Sequence, residues 1–155
     1  MKYIIVLAAM AVAVTAAATT SAHADYERLE AKGSVADTID RLEQAVEGAG
    51  ATVFARVDHT KGAEAAGMEL GDAQLLIFGN PKLGTPVMQE DPLAGLVLPL
   101  KMLVYSDGEQ TYVAYEQIEE RLDDLDVDDD LEVLTKIEGA QENFAKAAAG
   151  SANGN

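Results

Sequence analysis

Ala73-Gln74-Leu75-Leu76-Ile77-Phe78 restricts the fold of this chain more than any other segment. The run is largely apolar, does not alternate, and is too short for a helix, so it reads as a central β-strand buried on both faces. It stops at Gly79-Asn80-Pro81, a turn signal. A central strand needs hydrogen-bonding neighbours on both sides, and the chain offers several. Ala51 to Asp58 is one, with Val53, Ala55 and Val57 on one face. Leu98 to Tyr105 and Thr111 to Glu116 form a hairpin around Ser106-Asp107-Gly108. Tyr26 to Lys32 is a shorter and weaker strand.

Helical segments separate these strands. Ser34 reads as an N-cap with Asp37 as its capping-box partner, and Val35, Ile39, Leu42, Val46 and Ala49 follow as an apolar stripe. Gly48 and Gly50 end that helix. His59 to Asp72 is a small-residue stretch with one helical turn expected through Glu64-Ala65-Ala66. Thr85-Pro86 and Asp91-Pro92 each place a capping oxygen before a proline suited to the first helical position, which predicts short helical pieces over Val87–Glu90 and Leu93–Leu96. From Gln117 the pattern is helical: Ile118, Leu122 and Leu125 line one face, and Leu131, Leu134, Ile137, Gln141 and Phe144 line a second. The expected fold class is α+β: a mainly antiparallel sheet of about four to five strands with helices on one face, plus C-terminal helices.

The N-terminus has the pattern of an export signal. Lys2 is the charged region, Tyr3 to Ala18 the uncharged apolar region, and Ala22-His23-Ala24 the small-x-small cleavage site. The apolar stretch is rich in Ala and gives way to small and polar residues, whereas a spanning helix needs about 20 strongly apolar residues. The expectation is a signal peptide over 1–24 cut after Ala24, a single domain over 25–149 and a disordered tail over 150–155. The protein is then periplasmic or secreted, with no membrane anchor once the signal is removed. No cysteine is present, so disulfides, thiolate metal sites and thiol nucleophiles are excluded. Without Lys2 the chain carries 10 Lys and Arg against 27 Asp and Glu, a net charge of −17. Such a surface repels phosphate backbones, and no nucleic-acid partner is expected.

Three features could carry chemistry. The carboxylate run from Glu119 to Glu132 suggests calcium, but no register of an EF-hand loop fits. Starting at Asp124, the sixth position is Asp129 and the twelfth is Thr135; starting at Asp126, they are Leu131 and Ile137. The run reads as a solvated helix face and an acidic turn. His59, the one histidine left after processing, follows Asp58 at a strand end, where a neighbouring carboxylate could make it a proton carrier. Strand neighbours point to opposite faces, however, and a single histidine cannot build a two-histidine metal site within one chain. The third feature runs from Ile77 to Gln89: a strand end, a Gly-Asn-Pro turn, Lys82 and a helix start whose free N–H groups could bind an anion. It lacks the spacing of a phosphate-binding Walker loop.

Four stretches resemble the family known as domain of unknown function 302: Ala55-Arg56-Val57-Asp58-His59, LLIFGNPKLGTPVMQ from Leu75 to Gln89, LPLKMLVY from Leu98 to Tyr105, and TYVAY from Thr111 to Tyr115. The resemblance covers nearly the whole chain after residue 24. It implies a compact β-α-β(4)-α-like domain, exported in bacteria and homodimeric. It transfers no catalytic residue.

These readings converge on a periplasmic ligand-binding or protein-interaction module acting as a homodimer. The candidate ligand-binding residues are Asp58, His59, Asn80, Lys82, Thr85 and Met88. They are grouped on the expectation that segments following sequential strands lie side by side. No cofactor, metal or catalytic residue is assigned. The alternatives are an enzyme with His59 as general acid or base, and copper handling through His59 and methionines, Met68, Met88 and Met102, across a dimer.

Overall fold

The computed structural model describes residues 26–150. The expected leader, and the tail from Ser151 onward, lie outside them. Five strands form one antiparallel sheet in the order β1-β5-β4-β3-β2. They are β1 (Tyr26–Ala31), β2 (Thr52–Asp58), β3 (Ala73–Gly79), β4 (Leu100–Asp107) and β5 (Gln110–Glu116). The helices are α1 (Val35–Gly48), α2 (His59–Ala65), α3 (Pro81–Glu90), α4 (Ile118–Leu122) and α5 (Glu132–Ala149), with a 3-10 helix at Pro92–Leu96. This is the α+β class that the alternation of segments predicts.

Helix α1 starts where its capping box places it. Asp37 N donates to Ser34 Oγ at 3.1 Å, and Ser34 N donates back to Asp37 Oδ2 at 3.4 Å. Its stripe of Val35, Ile39, Leu42 and Val46 is buried against the inner face of the sheet, where Leu76, Phe78, Met102, Val104 and Val113 are also buried. Helix α5 packs beside α1, and its C-terminal carbonyls are satisfied from α1 and from the segment that leads into it. Arg41 Nε donates to Ala148 O at 2.9 Å and Lys32 N to Ala149 O at 3.0 Å. Gly150, expected as the first residue of the tail, instead closes α5 in the left-handed conformation (φ 69°).

Three local expectations are corrected. Register slips between Val53 and Ala55, so Val53 pairs with Phe78 on the helix side while Ala55 and Val57 pair with Ile77 and Leu75 on the other. One extra residue in a strand reverses the alternation beyond it. Next, β3 is covered on one face only: Leu76 and Phe78 are buried, whereas Leu75 and Ile77 are half-buried on the face away from α1 and α5. Finally, Asn80-Pro81 starts a helix instead of making a turn. Asn80 is the N-cap, Pro81 takes the first helical position, and α3 runs unbroken through Thr85-Pro86 to Glu90. Asp91-Pro92 does start the following 3-10 helix, as its spacing predicts.

Candidate functional site

The end of the sheet at Gly79 opens into a pocket of about 400 Å³. Several segments distant in the chain build it. Strand β3 supplies Phe78, which packs edge-on against Phe144 of α5 at 5.6 Å between ring centroids. Helix α5 adds Ile137 and Ala140, α3 adds Leu83, Gly84 and Met88, and the segment before β4 adds Leu98 and Pro99. Phe54, the bulge residue of β2, leans over the strand end and is 56% exposed. Gly79 permits that approach: a Cβ there would lie 3.2 Å from the Phe54 ring. Gly84 leaves room in the same way, since its Cβ would meet Leu98 Cδ1 at 3.4 Å.

The side chains lining this pocket are apolar except for Asn80 and Thr85, and none is charged. Asn80 Oδ1 accepts from Lys82 N at 3.0 Å, and Asn80 O accepts from Leu83 N and Gly84 N, both at 2.9 Å. Pro81 has no N–H. The amides at the start of α3 are therefore satisfied within the chain, and the anion site expected from that helix start has no free donor.

The six candidate residues do not form one cluster. Asn80, Thr85 and Met88 line the pocket, whereas Asp58, His59 and Lys82 do not. Strands β2 and β3 are antiparallel, with Thr52 opposite Gly79 and Asp58 opposite Gln74. Their C-terminal ends therefore point in opposite directions, and at 3.3 Å per residue Asp58 and Asn80 stand about 20 Å apart. At the Asp58 end the chain enters α2, none of whose residues is buried. Asp58 caps that helix: its carboxylate accepts from Lys61 N at 2.9 Å and pairs with Lys61 Nζ at 3.3 Å. The backbone hydrogen bond from Lys61, with help from the Lys61 side chain, holds the Asp58 carboxyl below its ordinary pKa. His59 is exposed at the first position of α2.

The methionines are dispersed. Met68 is exposed, Met88 lies at the pocket and Met102 is fully buried in the core. Among the described residues no group of three or more His, Asp or Glu side chains converges as a metal site. In the acidic C-terminal region, burial raises the Glu138 carboxyl above its usual range, and a hydrogen bond with Glu119 adds to the effect. Residues that complete the pocket and escape sequence reasoning are Phe54, Leu83, Leu98, Ile137, Ala140 and Phe144. Ile137 and Phe144 read as an ordinary core stripe, and no local pattern marks a stripe whose partner is a void.

Comparison with known proteins places this geometry in a family. The chain is 45% identical over 80 residues to the Fluoride-specific ion channel FluC 1 of Brucella suis, which covers 52% of this chain and 32% of that protein. The same identity over 80 residues links it to the Fluoride-specific ion channel FluC 2 of Brucella melitensis, covering 30% of that protein. The chain thus spans about a third of the length of these curated relatives. No helix among the described residues is long and apolar enough to cross a membrane. The crystal structure of an uncharacterized conserved protein DUF302 from Bacillus stearothermophilus shares the fold, with a TM-score of 0.72 at 22% identity over 79% of this chain and 97% of that one. The profile described as Domain of unknown function DUF302 matches residues 27–148, from the first strand to the last turn of α5, and the chain belongs to that family.

Proposed function

We propose that this domain is an exported module that binds an apolar small molecule in the pocket between β3, α3 and α5. The observation that carries this reading is a cavity of about 400 Å³ with an uncharged lining in a chain of net charge −16. Its volume lies within the range of small-molecule sites, which are mostly apolar with few polar groups. Partly open apolar walls lose dispersion contacts that an apolar guest restores. Fluoride, the ion in the names of the Brucella relatives, is not a ligand this lining would hold: no Lys, Arg or His contributes to it. The test is titration of the purified protein with an uncharged naphthylamine fluorophore. A saturable rise in emission, lost in Met88→Trp, where a larger ring fills the cavity, supports the reading. Emission unchanged by the protein would refute it.

The outer face of the sheet favours a homodimer as the working form. Solvent-facing sheet surfaces are normally polar, yet Leu75, Ile77, Leu103, Tyr105, Tyr112 and Ala114 share this one by register. Tyr105 and Tyr112 stack at 5.6 Å, and the Arg28 guanidinium lies 4.3 Å from the Tyr112 ring centre. The charges on it by register are Arg28 and Lys101 against Glu30, Glu116 and, at its end, Asp107, so its two signs nearly balance. A second copy therefore meets little of the repulsion that the rest of this acidic surface would impose. Light scattering should give twice the chain mass, falling to the monomer value in Leu103→Lys; a monomeric wild-type protein would remove this part of the proposal.

A further inference from the structure

We infer that the pocket selects a neutral amphiphile, an alkyl or aryl body with one hydrogen-bonding head group such as an alcohol, ester or amide, and rejects the carboxylate of equal chain length. The inference rests on the apolar-ligand reading above and adds the charge and head group of the guest.

The argument starts from the two polar side chains in the lining. Asn80 caps α3, and Thr85, five residues further on and exposed to solvent, belongs to the same helix, so the polar part of the lining comes from α3 alone. The Asn80 oxygen is occupied by Lys82 N. This leaves the Asn80 amide nitrogen as a donor and the Thr85 hydroxyl as donor or acceptor, with no hydrogen-bond partner for either among the described residues. A guest oxygen that accepts from the Asn80 amide satisfies that donor and leaves the body of the guest among Phe78, Leu83, Leu98, Ile137 and Phe144.

A carboxylate head meets three obstacles. The lining contains no cation, and the Lys82 side chain is exposed outside it. The amides of the α3 start, which would otherwise solvate an anion, already donate to Asn80. The surrounding protein is strongly acidic. A charge taken out of water without a partner is disfavoured far more than a hydroxyl that keeps one hydrogen bond. An alkylammonium avoids the global repulsion, but no carboxylate lines the walls to pair with it.

The experiment is displacement of the naphthylamine probe by octanol, octanoate and octylammonium at neutral pH, in wild type and in Asn80→Asp. Wild type should be emptied by octanol at a concentration at least about tenfold lower than by octanoate, with octylammonium also weaker than octanol. Asn80→Asp keeps a capping oxygen and exchanges the amide donor for a charge; octylammonium should then overtake octanol. Octanoate matching octanol in wild type would overturn the inference while leaving the apolar pocket standing. An unchanged ranking in Asn80→Asp would overturn the placement of the head group at Asn80. A probe that fails to bind wild type at all would overturn the underlying reading, and the inference with it.

Discussion

Asp58 closes β2 and caps α2; Asn80 closes β3 and caps α3, and each side-chain oxygen accepts a backbone N–H two or three residues on. The two ends of the strand pair are thus built from the same local parts, a strand running directly into a capped helix. What stands over them differs. At the Asn80 end α3 buries Val87 and packs against α5, whose Ile137, Ala140 and Phe144 wall the pocket. At the Asp58 end α2 buries none of its residues. A strand-to-helix junction is therefore a common piece of backbone chemistry, and the long-range neighbour decides whether it becomes a cavity or a surface. The same contrast separates the two faces of β3: Leu76 and Phe78 lie under helices, while Leu75 and Ile77 do not.

Four substitutions test the difference between the two ends. The largest effect is expected for Phe78→Ala. Phe78 is 1% exposed and forms the floor shared by the core and the pocket. Its truncation should destabilise the domain by about 3–5 kcal/mol, read from chemical denaturation. A loss below about 1 kcal/mol would mean that the pocket end is loosely packed and not a rigid site. Next is Gly84→Leu, which places a side chain against Leu98 inside the pocket. Naphthylamine affinity should fall by tenfold or more, about 1.4 kcal/mol, with the melting temperature held or raised because leucine favours a helix over glycine. Unchanged affinity would place the probe elsewhere.

Smaller effects belong to the Asp58 end. The Asp58 carboxyl has a lowered pKa in the folded chain. It therefore contributes stability above the ordinary carboxylate value, near pH 4, and that contribution disappears as pH falls through the lowered folded value. Asp58→Asn keeps a capping oxygen and loses the charge. Its denaturation midpoint should lie below wild type at neutral pH and converge with it in acid, with probe binding unaffected throughout. A pH-independent gap would assign the effect to packing. Smallest of all is His59→Ala, an exposed change that should leave stability within about 0.5 kcal/mol and probe affinity the same. A loss of binding in that variant would join the two ends functionally and defeat the comparison.

Much of the architecture was legible in the chain itself. The capping box at Ser34 and Asp37, the stripe of α1, the hairpin around Gly108 and the five strand segments rest on interactions within a few residues, and local pattern reports those directly. Local pattern misleads where a residue has two local meanings. Asn80-Pro81 serves equally as turn or as cap plus first helical residue, and the helix won because Lys82, Leu83 and Gly84 all donate back to Asn80. Phe54 reads as one more strand residue, yet it is the bulge that reverses the faces of Ala55 and Val57. Of the six candidate site residues, three line the pocket; grouping them with Asp58 and His59 requires successive strand ends to meet, which holds for parallel neighbours and fails for antiparallel ones.

The periodicities, the caps and the strong negative charge can be read from the chain alone, because each depends on residue type and short spacing. That β3 has one face clear of helices, that Asp58 and Asn80 lie at opposite ends of their strands, and that α5 stands over Gly79 with space beneath it depend on how distant elements pack together. A cavity is the volume left between elements distant in the chain, here residues 49–54, 78–100 and 137–144. Its existence depends on strand direction and helix placement, which are set by the burial of the whole core and not by any one segment.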